Sequence, residues 1–187
     1  MINQTIKDIL NRRSTRTFTP EMIEEGKIEM IIKSGLHAPS AHNQQSWHFT
    51  VIYNKDLIDE LSIETKKILG TFPDKMLKRI SENEKFHVFY HAPVVVIVSG
   101  KESALMPSEA CAAATENMLI AAESLGIGSC WVGFVKSLFE SEKKESYKEK
   151  LSIPEGYKPY YGIAFGNKEG KEVKTPRRKE NTVNFIY

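Results

Sequence analysis

Residues 107–134 read PSEACAAATENMLIAAESLGIGSCWVGF and hold the most distinctive structural pattern in the chain. Residues 107–126 predict one long helix, with Ser108 and Gly126 as its caps. Small or apolar residues surround much of this helix, and a helix that is apolar all round is predicted to be buried on all sides. In a chain of 187 residues, a second copy packed against it is one explanation. Residues 128–135 then predict a strand.

Strand and helix patterns alternate on both sides of this segment. Strands are predicted at the β-rich stretches 49–53, 94–99 and 160–166. Helices are predicted at 4–12, 56–69, 73–86 and 137–150, and one more from Thr19 and Pro20 to Pro39. The pattern has no linker or repeat, so we predict one α+β domain over residues 1–187.

The composition excludes several classes of protein. A net charge of +2 is too balanced for nucleic acid or an anionic membrane to be the main partner. No apolar run approaches the ~20 residues of a membrane-spanning helix, and the N-terminus has no apolar signal core. The two cysteines, Cys111 and Cys130, lie far apart and form no zinc or disulfide pattern. We therefore expect a cytoplasmic protein.

Residues 38–47, APSAHNQQSW, concentrate hydrogen-bonding side chains between a predicted helix and a predicted strand. Such a density of donors and acceptors suits a polar ligand, although a polar loop without a ligand is the alternative. Residues 12–18, RRSTRTF, gather three arginines and a serine, which suit a phosphate group. The alternative there is a solvated turn whose arginines meet helix-end carbonyls. A second basic cluster is PRRK at 176–179. Its side chains either bind the same phosphate group or are ordinary solvent-exposed surface residues.

The remaining motifs are weaker evidence for a binding or metal site. GIGSCW at 126–131 lacks the third glycine of the dinucleotide fingerprint and precedes a strand, so it does not predict a Rossmann site. Gly128 and Gly133 suit either the close approach of a flat ligand or a tightly packed strand after a helix cap. His87 and His91 have the spacing of a metal pair without an acidic partner of the HExxH type. Capping or packing is the favoured interpretation of both, and no nucleophile motif accompanies them.

Together, and in this order, RRSTRTF, APSAHNQQSW, ENMLIAAESLGIGSCWVGF and PRRK resemble the nitroreductase family of flavin enzymes. The resemblance covers essentially the whole chain. It implies an α+β fold with a central, mostly antiparallel sheet flanked by helices. It also implies an intertwined homodimer with two active sites at the interface, in which a C-terminal extension (about 171–187) packs on the partner subunit, with TVNFIY suited to an added strand.

The resemblance implies FMN as the cofactor and NAD(P)H as the electron-donating co-substrate. The residues that match the family's contacts to phosphate and the flavin edge are Arg12, Arg13, Ser14, Arg16, Arg177 and Arg178. The residues that match its partner-subunit loop are Pro39, Ser40, Asn43 and Gln45. The backbone near Val132 and Gly133 matches the place where an N–H faces the flavin N5. No catalytic side chain beyond FMN and no metal is implied.

The implied activity is a ping-pong hydride transfer from NAD(P)H to electron-poor acceptors such as nitroaromatics or quinones. Alternatives are a same-fold enzyme that dehalogenates or cleaves flavin, and a non-enzymatic FMN-binding or storage protein. Ser46 stands where the family often has proline, which leaves the geometry of that loop open. Residues 66–86 match the region of the substrate lid and are short and charged, so the acceptor itself stays unassigned.

Overall fold

Four strands form one antiparallel sheet in the order β1-β2-β4-β3. The structure, a computed structural model, describes residues 2–170 and 175–187. The strands are β1 (Trp47–Ile52), β2 (Val94–Lys101), β3 (Ile127–Val132) and β4 (Tyr157–Asn167). The predicted central antiparallel sheet is confirmed.

Helices flank this sheet, which confirms the predicted α+β class. Those in the described residues are α1 (Gln4–Asn11), α2 (Glu25–Leu36), α3 (Lys55–Leu69), α4 (Lys75–Glu82), α5 (Pro107–Ser124), α6 (Val135–Phe139) and α7 (Lys144–Lys150). The single helix predicted over 137–150 is thus wrong, because the chain forms two short helices there. No helix in the described part of the chain combines the length and apolarity needed to cross a bilayer.

The helix predicted to begin at Thr19 begins instead at Glu25. The backbone N–H of Thr19 donates to the carbonyl of Asn167 at 3.0 Å, and Phe18 forms an antiparallel bridge with Lys168. These bonds hold the chain extended beside the end of β4. Pairing with a distant strand therefore overrides the local helix-start signal.

Both faces of the sheet are buried. Along β2, Val95 and Ile97 enter one apolar cluster, whereas Val94, Val96 and Val98 enter the other. The alternation follows from the two-residue period of strand side chains. Helices α3, α6 and α7 contribute to the first cluster and α2 and α5 to the second. The result is a sheet between two helical layers.

Helix α5 is buried along one side only within a single chain. Ala114, Met118 and Ala122 are fully buried, whereas Ala112 and Ile120 are half-exposed. The neighbouring helix α1 likewise exposes the apolar side chains Ile6, Ile9 and Leu10. The prediction that α5 is buried all round is therefore wrong for the isolated chain, and its exposed side joins an apolar surface.

Candidate functional site

Residues 12–18 run from the end of α1 along the edge of β3. The N–H of Thr15 donates to the carbonyl of Ser129 at 2.8 Å, and Ser14 and Ser129 form a parallel bridge. Gly128 permits this approach, since a Cβ there would lie 2.9 Å from Cγ2 of Thr15. The backbone pairing thereby fixes where the neighbouring arginine side chains begin.

A cleft of about 300 Å³ opens beside this segment. Its charged lining residues are Arg13, Arg16, Lys168, Glu123 and Glu169. Lys168 Nζ lies 2.8 Å from Glu123 Oε2, so these two charges compensate each other. Among the described lining residues, positive charge therefore comes chiefly from the two arginines.

The side chain of Arg13 connects the end of α1 with Thr175 of the C-terminal segment. Its Nη1 donates to the carbonyls of Leu10 at 2.8 Å and Arg12 at 2.7 Å, and its Nη2 donates to Oγ1 of Thr175. The contacts to Leu10 and Arg12 are the helix-end contacts expected if residues 12–18 form a solvated turn and not a phosphate site. The Nε of Arg13, however, is buried and has no acceptor among the described residues. A buried donor without a partner is uncommon and indicates that an acceptor is still to be supplied.

Two of the predicted residues from this segment do not line the cleft. Arg12 Nε lies 3.6 Å from Oε1 of Glu116, so this side chain is directed toward α5. Ser14 lies beside Cys130 on β3. Burial raises the pKa of the Cys130 thiol, against the smaller opposing effects of Arg16, Tyr90 and Ser14. Cys130 is therefore a protonated thiol at neutral pH.

Arg16 contacts Tyr90, a residue that the sequence patterns did not single out. The guanidinium carbon of Arg16 lies 5.8 Å from the centroid of the Tyr90 ring. The interaction with the Tyr90 side chain raises the pKa of Arg16, while partial burial acts in the opposite direction. Arg16 therefore stays charged at any pH at which the protein is folded. Tyr90 is remote from residues 12–18 in sequence, so only the fold brings it here.

The loop at residues 39–45 is largely exposed and internally hydrogen-bonded. The N–H of Gln45 donates to Oγ of Ser40 at 2.9 Å, and Nε2 of Gln45 donates to Oδ1 of Asn43 at 3.3 Å. His42, Asn43 and Gln45 all have left-handed backbone angles, with φ of 50°, 53° and 47°. Such angles are uncommon outside glycine, so the loop has a defined and strained shape.

Within one chain, this loop is not brought to the arginines. Pro39 is exposed, and none of Pro39, Ser40, Asn43 and Gln45 lines the cleft. Ser46 is buried, and its carbonyl accepts the N–H of Lys101 at 2.8 Å. That backbone bond fixes the end of the loop where the family often has proline.

The remaining predicted residues lie at two other places. Val132 is buried at the end of β3, and the following Gly133 is exposed, with no atom within 4 Å of a Cβ placed on it. Arg177 pairs with Glu180, and Arg178 is exposed beside them, away from the cleft. Among the described residues of this C-terminal segment, Thr175 lines the cleft. Residues 171–174 of the predicted extension lie outside the described residues.

Comparison with known proteins shows the family of this chain. The model of the Nitroreductase family matches residues 9–167. This chain belongs to the nitroreductase family. An Archaeoglobus fulgidus protein provisionally named NADH dehydrogenase/NAD(P)H nitroreductase is 33% identical over 88% of this chain and 86% of its own length. The Bacillus subtilis FMN reductase (NADPH) is 28% identical over 98% of this chain and 76% of its own.

A solved structure gives the same fold. The nitroreductase of Bacteroides fragilis, crystallised with bound FMN, superposes with a TM-score of 0.92 at 32% identity, over 99% of this chain and 100% of that one. The fold predicted from the resemblance is therefore confirmed. The predicted site residues are not tested by this match and stay predictions.

A second polar cluster of this chain consists of Asp59, His87 and His91, whose ligand-type atoms lie within 4.8 Å of one another. Nδ1 of His87 accepts the backbone N–H groups of Phe89 and His91, each at 3.1 Å. Nε2 must then carry the proton, which it donates to Oδ1 of Asp59 at 3.2 Å. Neither ring nitrogen keeps a lone pair for a metal. The capping role predicted for His87 is confirmed.

We expect His87→Leu to lower the free energy of unfolding by about 2–4 kcal/mol, because two backbone N–H groups beside the buried Phe89 lose their acceptor. His87→Asn should lose less stability, since the Oδ1 of asparagine can accept these N–H groups in place of Nδ1. Urea unfolding at one protein concentration measures both. His91→Leu is the matched control and should change stability by less than about 0.5 kcal/mol, as its ring is exposed. Equal losses at the two positions would contradict the capping role.

We also expect acid to destabilise the fold through His87. Burial, with a smaller effect of His91, lowers the pKa of His87 to about 4, whereas the unfolded chain binds this proton near 6.5. The stabilisation is therefore complete above pH 6.5 and is lost as the pH falls toward 4, by up to roughly 3 kcal/mol. Urea unfolding of wild type and His87→Asn at pH 7, 5.5 and 4.5 measures this. The difference between the two proteins should shrink in acid; a constant difference would refute the assignment.

Proposed function

We propose that this protein is an FMN-dependent oxidoreductase that transfers electrons from NAD(P)H to electron-poor small molecules such as nitroaromatics or quinones. The observation that carries the proposal is the cleft of Arg13 and Arg16, with a buried Arg13 Nε for which the described residues supply no acceptor. The relatives support it by their names, since one is an FMN reductase (NADPH) and one holds bound FMN.

The residues of the cleft fit a phosphate monoester. Guanidinium groups bind phosphate oxygens through charge-assisted hydrogen bonds, and Arg13 has one buried donor that no described residue uses. Lys168 adds a cation that is shared with Glu123. Arg12, Ser14, Arg177 and Arg178 are proposed as further contacts that close on the phosphate when the ligand is bound.

The flavin ring is proposed to lie against the end of β3. The space over Gly133 is open, so a flat group can approach the backbone there and meet an N–H near Val132 and Gly133. The polar edge of the ring must be hydrogen-bonded once it is buried, at a cost of about 1–3 kcal/mol for each group left unpaired. We assign that pairing to Pro39, Ser40, Asn43 and Gln45 of a second subunit, because the loop lies outside the cleft of its own chain.

A homodimer is part of the proposal. The half-exposed side of α5 and the exposed apolar residues of α1 form one surface that a second copy would cover. The C-terminal residues Phe185, Ile186 and Tyr187 are 76%, 97% and 109% exposed in the single chain. Apolar side chains left so open at a chain end suit packing on a partner subunit.

FMN held at this site would supply the redox chemistry that couples oxidation of NAD(P)H to reduction of the acceptor in two half-reactions. The chain binds and orients the flavin, excludes water from its buried edge and places positive charge beside it. Cys111 and Cys130 are both free and buried, which suits a reducing compartment, and we place the protein in the cytoplasm.

Replacing both Arg13 and Arg16 with Gln should weaken FMN binding by at least about tenfold, since two charge-assisted contacts are lost. Titration of apoprotein with FMN, followed by flavin fluorescence, measures the dissociation constant. Lys33→Gln removes an exposed positive charge from α2 and serves as the matched control. Unchanged affinity in the double variant would show that the phosphate lies elsewhere.

The activity itself is tested by anaerobic reduction of the protein-bound flavin with NADH and with NADPH, followed by reoxidation with a nitroaromatic, a quinone and a halogenated aromatic. We expect rapid bleaching by at least one nicotinamide and reoxidation by the nitroaromatic or the quinone. A protein that binds flavin without oxidising NAD(P)H would be a storage or sensing module. Reoxidation by the halogenated compound alone would indicate a dehalogenase.

A further inference from the structure

We propose that Tyr90 is a positioning residue that holds the guanidinium of Arg16 against the flavin. The inference rests on the proposed function, because it assumes that Arg16 lies beside FMN. It adds a residue from another part of the chain to the site, together with the turn that orients it.

Arg16 needs such a partner because its side chain is exposed and long. An exposed arginine samples many rotamers, and ordering it costs conformational entropy. Arg16 has no carboxylate partner among the described residues; its guanidinium instead lies 5.8 Å from the centroid of the half-buried Tyr90 ring. The interaction with Tyr90 is also the largest influence that raises the pKa of Arg16. Tyr90 is thus its main contact.

Tyr90 itself lies in a tight turn that several hydrogen bonds fix. Its backbone φ is 56°, and that of the next residue, His91, is 55°, which are strained angles for residues with a side chain. The N–H of Tyr90 donates to the carbonyl of His87 at 2.9 Å, while Nδ1 of His87 accepts the N–H groups on either side of Tyr90. The ring packs edge-on against Phe86, with centroids 6.0 Å apart. The His87 cap therefore fixes the direction of the Tyr90 ring.

The same contact places the charge near the end of β3. Tyr90 and Arg16 both act on the thiol of Cys130, which lies on β3 two residues before Val132. A cation held beside Cys130 is close to the strand end at which the flavin is proposed to lie. Positive charge there stabilises the flavin once it has gained electrons and a negative charge. Tyr90 thereby influences both FMN affinity and the flavin reduction potential through Arg16.

A double-mutant cycle tests this coupling with wild type, Tyr90→Leu, Arg16→Gln and the double variant. Each apoprotein is titrated with FMN for its dissociation constant, and the midpoint potential of each holoprotein is measured against a reference dye. Tyr90→Leu removes the ring that Arg16 contacts, so it should weaken FMN binding about two- to fivefold and make the potential more negative. In the Arg16→Gln background the same change should have no further effect. Tyr53→Leu, at an exposed tyrosine that does not line the cleft, is the matched control and should match wild type.

Equal effects of Tyr90→Leu in both backgrounds would overturn the inference, because Tyr90 would then act independently of Arg16. So would the absence of any effect in a Tyr90→Leu protein whose circular dichroism and urea midpoint match those of wild type. If Arg16→Gln alone changes neither quantity while wild type binds FMN, the inference fails and the proposed function stands. If wild type binds no FMN, the proposed function fails.

Discussion

The backbone pairing of residues 14–19 with β3 and with the end of β4 is the constraint on which the candidate site depends. Thr15 bonds to Ser129, and Phe18 pairs with Lys168, so a segment near the N-terminus closes the edge of the sheet. The approach requires glycine at Gly166, where a Cβ would lie 2.7 Å from Cδ1 of Phe18. Because the backbone is anchored at both ends of the segment, Arg13 and Arg16 share one cleft.

The sheet and most helices could be predicted because each has a local cause. The run of apolar β-branched residues in β2 predicts a strand buried on both faces, and both faces of β2 are indeed buried. Thr19 and Pro20 carry a valid helix-start signal, yet hydrogen bonding to Asn167 prevails there. The small side chains of α5 predict a buried helix, but they do not indicate whether the same chain or a second copy covers it. Non-local pairing and assembly are what single-sequence patterns omit.

In the candidate site, too, some residues have a local sequence signal and others are placed only by the fold. The arginines of residues 12–18 could be singled out because three cations in seven residues are conspicuous. Tyr90 has no such signal, since its role follows from a left-handed turn and a long-range contact. Proximity alone would also misassign Asp59, His87 and His91. Counting the hydrogen bonds of each ring nitrogen shows that His87 has already used both.

The two glycines that flank Trp131 differ in a way that matters for redesign. A methyl group at Gly128 would collide with Thr15, whereas the space over Gly133 is empty and its backbone angle is not left-handed. A small side chain introduced at Gly133 would therefore meet no other part of its own chain. Substitution at this position can thus alter what approaches the end of β3 while leaving the packing of the scaffold intact.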